Sequence, residues 1–71
     1  MRAKFKRAWT VRRLFHEHGY QIGELRFSGG GHWRLIAARP GEPFRPWTVQ
    51  RDYGMRTIRN LHADLRRGFQ R

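Results

Sequence analysis

Two apolar stripes of helical spacing stand at the ends of this chain, and between them the period drops to about two residues. Val11, Leu14, Phe15 and His18 form the first stripe; Met55, Ile58, Leu61, His62 and Leu65 form the second. The first reads as a helix over 10–18, with Thr10 as N-cap, Gly19 just past the end, and Arg12, Arg13 and His16 turned to solvent. Tyr20 to Phe27 reads as a strand with an irregularity near Gly23, and Ser28-Gly29-Gly30-Gly31 as a turn. A second strand runs from His32 to Ala38, with Trp33, Leu35 and Ala37 on one face and His32, Arg34, Ile36 and Ala38 on the other. Arg39-Pro40-Gly41-Glu42-Pro43 marks the next turn. Phe44 to Gln50 is the third strand, and Pro46 confines its first half to a sheet edge or a bulge. Gly54 or Asp52 opens the last helix and Gly68 closes it. The order α-β-β-β-α predicts an α+β fold: a three-stranded antiparallel sheet with two helices packed on one face. Residues 1–9 read as a frayed basic N-terminal arm anchored by Phe5 and Trp9, and 10–71 as a single domain.

A chain of 71 residues can bury only about 60% of the surface its unfolded form exposes, so the core must be small. Sixteen Lys and Arg stand against five Asp and Glu, a formal charge of +11. Fourteen of the sixteen are Arg, which forks onto phosphate or a guanine edge and stacks on bases where Lys supplies only a point charge. Nucleic acid is the leading partner implied by that excess, RNA ahead of DNA, with an acidic protein second. No apolar run approaches the roughly 20 residues that a membrane span needs, and the N-terminal stretch has no apolar core of a signal peptide, so a membrane is not expected as partner. The absence of cysteine excludes disulfides and thiolate metal sites and suits a reducing cytoplasm.

His32 follows three glycines and precedes Arg34 by two residues on the same strand face. Cleaving RNA without metal takes a base for the 2′-hydroxyl proton, an acid for the leaving 5′-oxygen and positive charge at the phosphorus. An imidazole suits the first two roles and a guanidinium the third. His32 therefore reads as a strand histidine that hydrogen-bonds at a sheet edge or stacks on a base, with a catalytic base as the sharper candidate role. Gly30 and Gly31 read as backbone able to cradle a phosphate, or as an ordinary hairpin turn. Arg12, Arg13, Arg34, Arg56, Arg59, Arg66 and Arg67 are the candidate nucleic-acid contacts, joined by Lys4, Lys6 and Arg7 of the arm. Trp33 and Trp47 are expected in the core and Trp9 to stack on an unpaired base. His16 and His18 are not spaced as the i, i+4 pair a helical metal site wants, and no metal or other cofactor is expected.

The same residues resemble the HicA toxin family, small mRNA interferases with a double-stranded-RNA-binding-domain-like fold. Leu14-Phe15-His16-Glu17-His18-Gly19-Tyr20 resembles the family's first helix end, and Gly30-Gly31-His32 its Gly-Ser/Thr-His motif. Gly54-Met55-Arg56-Thr57-Ile58 is similar to the Gly-Thr-Leu-x-x-Ile that starts its last helix. The resemblance runs from about Thr10 to Phe69. It implies that His32 is a catalytic histidine and that the acidic partner is an antitoxin. Gly31 stands in place of the family's hydroxyl residue, and Trp47-Thr48-Val49-Gln50 where a second histidine is often found. Small basic phage-encoded proteins resemble the chain too, over Ile58 to Arg67. They keep open a non-catalytic module, a phage-type regulator or inhibitor, that binds DNA or an acidic protein.

Overall fold

A computed structural model describes residues 3–5 and 7–70, with Ala3, Lys4 and Tyr53 described by their backbone. Of the expected arm, Met1, Arg2 and Lys6 lie outside the described residues, as does Arg71. The elements are β1 (Ala3–Lys4), α1 (Ala8–Glu17), β2 (Gln21–Ser28), β3 (His32–Ala38), β4 (Arg45–Gln50), β5 (Asp52–Tyr53) and α2 (Met55–Arg67). β2, β3 and β4 form the expected antiparallel sheet, with β3 in the centre.

Helix α1 starts at Ala8, two residues before the expected Thr10. Arg7 takes the extended N-cap conformation, and the Thr10 hydroxyl donates back to the Arg7 carbonyl at 2.6 Å from inside the first turn. A threonine hydroxyl serves a helix in either position, so residue type alone does not separate the two. Gly19, at φ +81°, ends the helix in the left-handed region and donates to the His16 carbonyl.

The strand register puts Trp33 opposite Val49 and Leu35 opposite Trp47 on the helix-covered face. Phe15 of α1 and Leu61 and Leu65 of α2 complete that core with Val11, Leu14, Tyr20 and Ala37. Phe15, Tyr20 and Trp47 meet edge to face, with centroids 5.4–5.7 Å apart, a geometry worth about 0.5–1.5 kcal/mol per pair beyond burial. The Tyr20 hydroxyl donates to the Leu65 carbonyl at 2.6 Å, tying α2 to the start of β2. Met55 departs from the expected stripe: it is 51% exposed at the first turn of α2.

Three further contacts close the molecule. β1 pairs with β5, the Phe5 amide donates to the Arg51 carbonyl and the Trp33 indole donates to the Phe5 carbonyl, so Phe5 is buried rather than frayed. Arg39 lies against the end of α2, where its guanidinium donates to the Arg66 and Arg67 carbonyls. A cation there satisfies orphan carbonyls and complements the helix dipole. The Gln70 side chain accepts from the Thr48 amide and donates to the Thr48 carbonyl, acting as a short extra strand on β4. Among the described residues no helix is long and apolar enough to cross a membrane.

Candidate nucleic-acid interface

The face of the sheet away from the helices is open, and β3 carries His32, Arg34 and Ile36 onto it. Alternation demands this once Trp33, Leu35 and Ala37 point into the core. His32 begins β3, half-buried, opposite Ser28 on one side and Gln50 on the other. Ser28 Oγ donates to the His32 carbonyl at 3.1 Å, which holds the strand start against the turn. The imidazole lies beside Gly30: a Cβ there would sit 3.4 Å from His32 Nδ1. Gly31 turns the chain at φ +80°, a conformation that favours glycine, and its carbonyl accepts from the Arg51 amide. Glycines 29–31, His32, Gln50 and Asp52 border an open groove of about 600 Å³ at this end of the sheet.

Arg34 stands two residues further, exposed, between Arg26 and Thr48. Arg26 is held by Glu24, which raises the guanidinium's already high pKa through their hydrogen bond. Arg34 makes no ion pair among the described residues. The structure thus brings His32, Gly30 and Gly31 together at one end of the sheet, while Arg34 shares the open face with His32 but lines a separate hollow with Arg26, Ile36, Pro46 and Thr48.

The other predicted contacts lie on the helical layer. Arg12 and Arg13 are exposed on α1, with Arg13 bound to Glu17 at 3.0 Å. Arg56, Arg59 and Arg66 are exposed on α2, and Arg67 is held by Asp64. Arg66 also helps lower the pKa of His18, although burial of that ring is the larger cause, followed by His62. His18 Nε2 and His62 Nδ1 are 2.9 Å apart and share one hydrogen between the end of α1 and the middle of α2. The sheet separates these helical arginines from Arg34, so the predicted cations occupy two opposite faces.

All five carboxylates are taken. Glu17 holds Arg13, Glu24 holds Arg26, Glu42 holds Arg39, Asp52 holds Arg51 and Asp64 holds Arg67. Glu42 is consequently lowered in pKa, chiefly by its hydrogen bond from Arg39. Arg7, Arg12, Arg34, Arg45, Arg56, Arg59 and Arg66 are left with no ion pair among the described residues. Their charges have no internal counterpart.

One grouping was not read from the sequence. Trp9, Arg12, Arg13 and His16 line one side of an open groove of about 650 Å³, and Ile22 and Phe44 line the other. The signal was the i, i+3, i+4, i+7 spacing of the first four, hidden by starting the helix at Thr10 and leaving Trp9 in the arm. Among the described residues no cluster of three or more His, Asp or Glu is placed to hold a metal ion. Compared with known proteins, the chain matches no family model, no curated protein and no solved structure.

Proposed function

We propose that this protein binds nucleic acid in the cytoplasm, RNA in preference to DNA, through arginines that its own carboxylates leave unpaired. The observation that carries the reading is the complete use of the five acids: each already holds one arginine, while seven more face solvent without a counter-ion among the described residues. Concentrated guanidinium charge of this kind is neutralised by a polyanion, whose condensed counterions are released on binding. An acidic protein offers the same charge but not the regular phosphate spacing that separate arginine patches can follow.

RNA cleavage is the second reading, and the shared face of His32 and Arg34 favours it. The neutral imidazole takes the 2′-hydroxyl proton, the 2′-oxygen attacks phosphorus, and the bond to the 5′-oxygen breaks as that oxygen takes the proton from the imidazolium so formed. Arg34 stabilises the charge on the pentavalent phosphorus. The products are a 2′,3′-cyclic phosphate and a 5′-hydroxyl. This reading makes the chain a HicA-like interferase, with an acidic antitoxin as its natural partner.

Labelled RNA and DNA of equal length, incubated without metal at 50 and 200 mM salt with wild type and His32→Ala, test both readings. Six phosphate contacts would cost about a thousandfold in affinity between those salts. Affinity that is absent at low salt, or indifferent to salt, overturns nucleic-acid binding. Cleavage by wild type that His32→Ala abolishes, with binding intact, supports the enzyme; intact RNA under tight binding removes it.

A further inference from the structure

The groove between α1 and the edge of β2 combines large exposed rings with unneutralised positive charge. Trp9 is 57% exposed and Phe44 51%, and both line it from opposite sides. Along α1, Trp9, Arg12, Arg13 and His16 fall on one stripe because residues three and four apart share a helix face. Arg13 is engaged by Glu17, so Arg12 brings the free guanidinium, and no Asp or Glu lines the groove among the described residues. Phe44 reaches it from the loop before β4 by crossing Gly23, where a Cβ would stand 3.2 Å from the Phe44 ring and 3.1 Å from Ile36. The glycine at the bulge therefore keeps room for the ring that forms the far wall.

We propose that this groove holds unpaired nucleotides of a single-stranded RNA or DNA segment. Bases stack on Trp9 and Phe44, and the phosphate between them lies against Arg12 with His16 at the end of the stripe. The proposal rests on the nucleic-acid reading above and deepens it, since a cationic groove flanked by aromatic rings is what single strands bind without sequence preference. A duplex keeps its bases stacked on one another and offers no free base face to either ring.

An acidic peptide added as an extra strand to β2 is the competing occupant, and the edge itself argues against it. The register slips between Ile22 and Glu24, so the amides and carbonyls on that edge do not repeat regularly. The opposite edge, at β4, is covered at Thr48 by Gln70.

The test measures fluorescence anisotropy of a labelled ten-nucleotide oligouridine, a labelled RNA duplex and a labelled polyglutamate peptide against the full chain. Trp9→Ala is expected to weaken the single strand about tenfold, the loss of one base–aromatic stack, and to leave the duplex unchanged. Trp9→Phe restores most of that affinity, and Phe44→Leu, which keeps an apolar side chain over Gly23, weakens the single strand similarly. Arg12→Gln lowers the slope of log affinity against log salt by about one. Melting curves establish that each variant is folded. Trp9→Ala and Phe44→Leu variants that bind both RNAs like wild type overturn the groove while nucleic-acid binding stands. Equal weakening on strand and duplex overturns the assignment to unpaired bases. Wild type that binds polyglutamate and neither RNA overturns the groove together with the reading beneath it.

Discussion

The two faces of the same three strands have been put to opposite uses. On the covered face, Trp33, Leu35, Trp47 and Val49 are buried with Phe15, Leu61 and Leu65, while Ile22 and Leu25 of β2 are half-buried at its margin and Phe27 is exposed. On the open face, Arg34, Ile36, Pro46 and Thr48 are exposed and His32 is half-buried, and they form no shared core. A chain this short closes one core and has too few apolar residues for a second. What remains on the other side is free to carry charge, and it carries an arginine that no acid neutralises. The packed core and the unpaired charge of Arg34 are thereby separated by the thickness of one sheet.

Substitutions on each face in turn test this division. Trp47 is 2% exposed and touches the rings of both Phe15 and Tyr20, so Trp47→Ala is expected to cost about 3–5 kcal/mol, much of the stability of a domain this size. Urea denaturation reads this as a large fall in the midpoint. A loss under 1 kcal/mol would mean that the covered face is not the core. At the end of α2, Gly68 has φ +99°, and a Cβ there would collide with the Arg39 guanidinium. Gly68→Ala is expected to cost about 1–2 kcal/mol from the left-handed backbone, with more if Arg39 must release the helix carbonyls. Asn at 68, which tolerates this conformation better, separates the backbone cost from the collision by differing from Ala in the same melt.

A smaller effect comes from acid. Burial, His62 and Arg66 lower the pKa of His18 from its ordinary 6.5, against an opposing pull from Glu17. The unfolded chain therefore protonates this ring first. Stability from the His18–His62 contact is complete above about pH 6.5 and is lost as pH falls from there through the lowered folded value. Melting temperatures at stepped pH should drop over that window in wild type and drop less in His18→Gln. The smallest change is expected on the open face: Arg34→Gln should alter stability by no more than about 0.5 kcal/mol, while weakening RNA. A larger stability loss there would erase the separation of the two faces.

The element order was legible because each element announces its own period. The bulge was legible at Gly23, and the inward side of β3 followed from where Trp33 and Leu35 stand. The start of α1 was not, since Thr10 serves a helix as N-cap or from inside its first turn. That two-residue error kept Trp9 out of the α1 stripe, and with it the groove. His32 and Arg34 were legible as neighbours on one face, but not as residents of the layer opposite to Arg12, Arg56 and Arg59.

Residue spacing and composition are enough to give the α-β-β-β-α order, the three antiparallel strands, the buried side of β3 and the large positive charge. These depend on spacing within ten or so residues, where side-chain periodicity and glycine conformation act directly. Long-range packing alone brings Phe5 into the core, Arg39 to the end of α2, Gln70 onto β4 and Phe44 across Gly23. Each of these links residues about twenty or more apart in the chain, or far across the sheet, through a single side chain. A lone contact of that kind leaves no period to read; it exists only once packing has brought its two ends together.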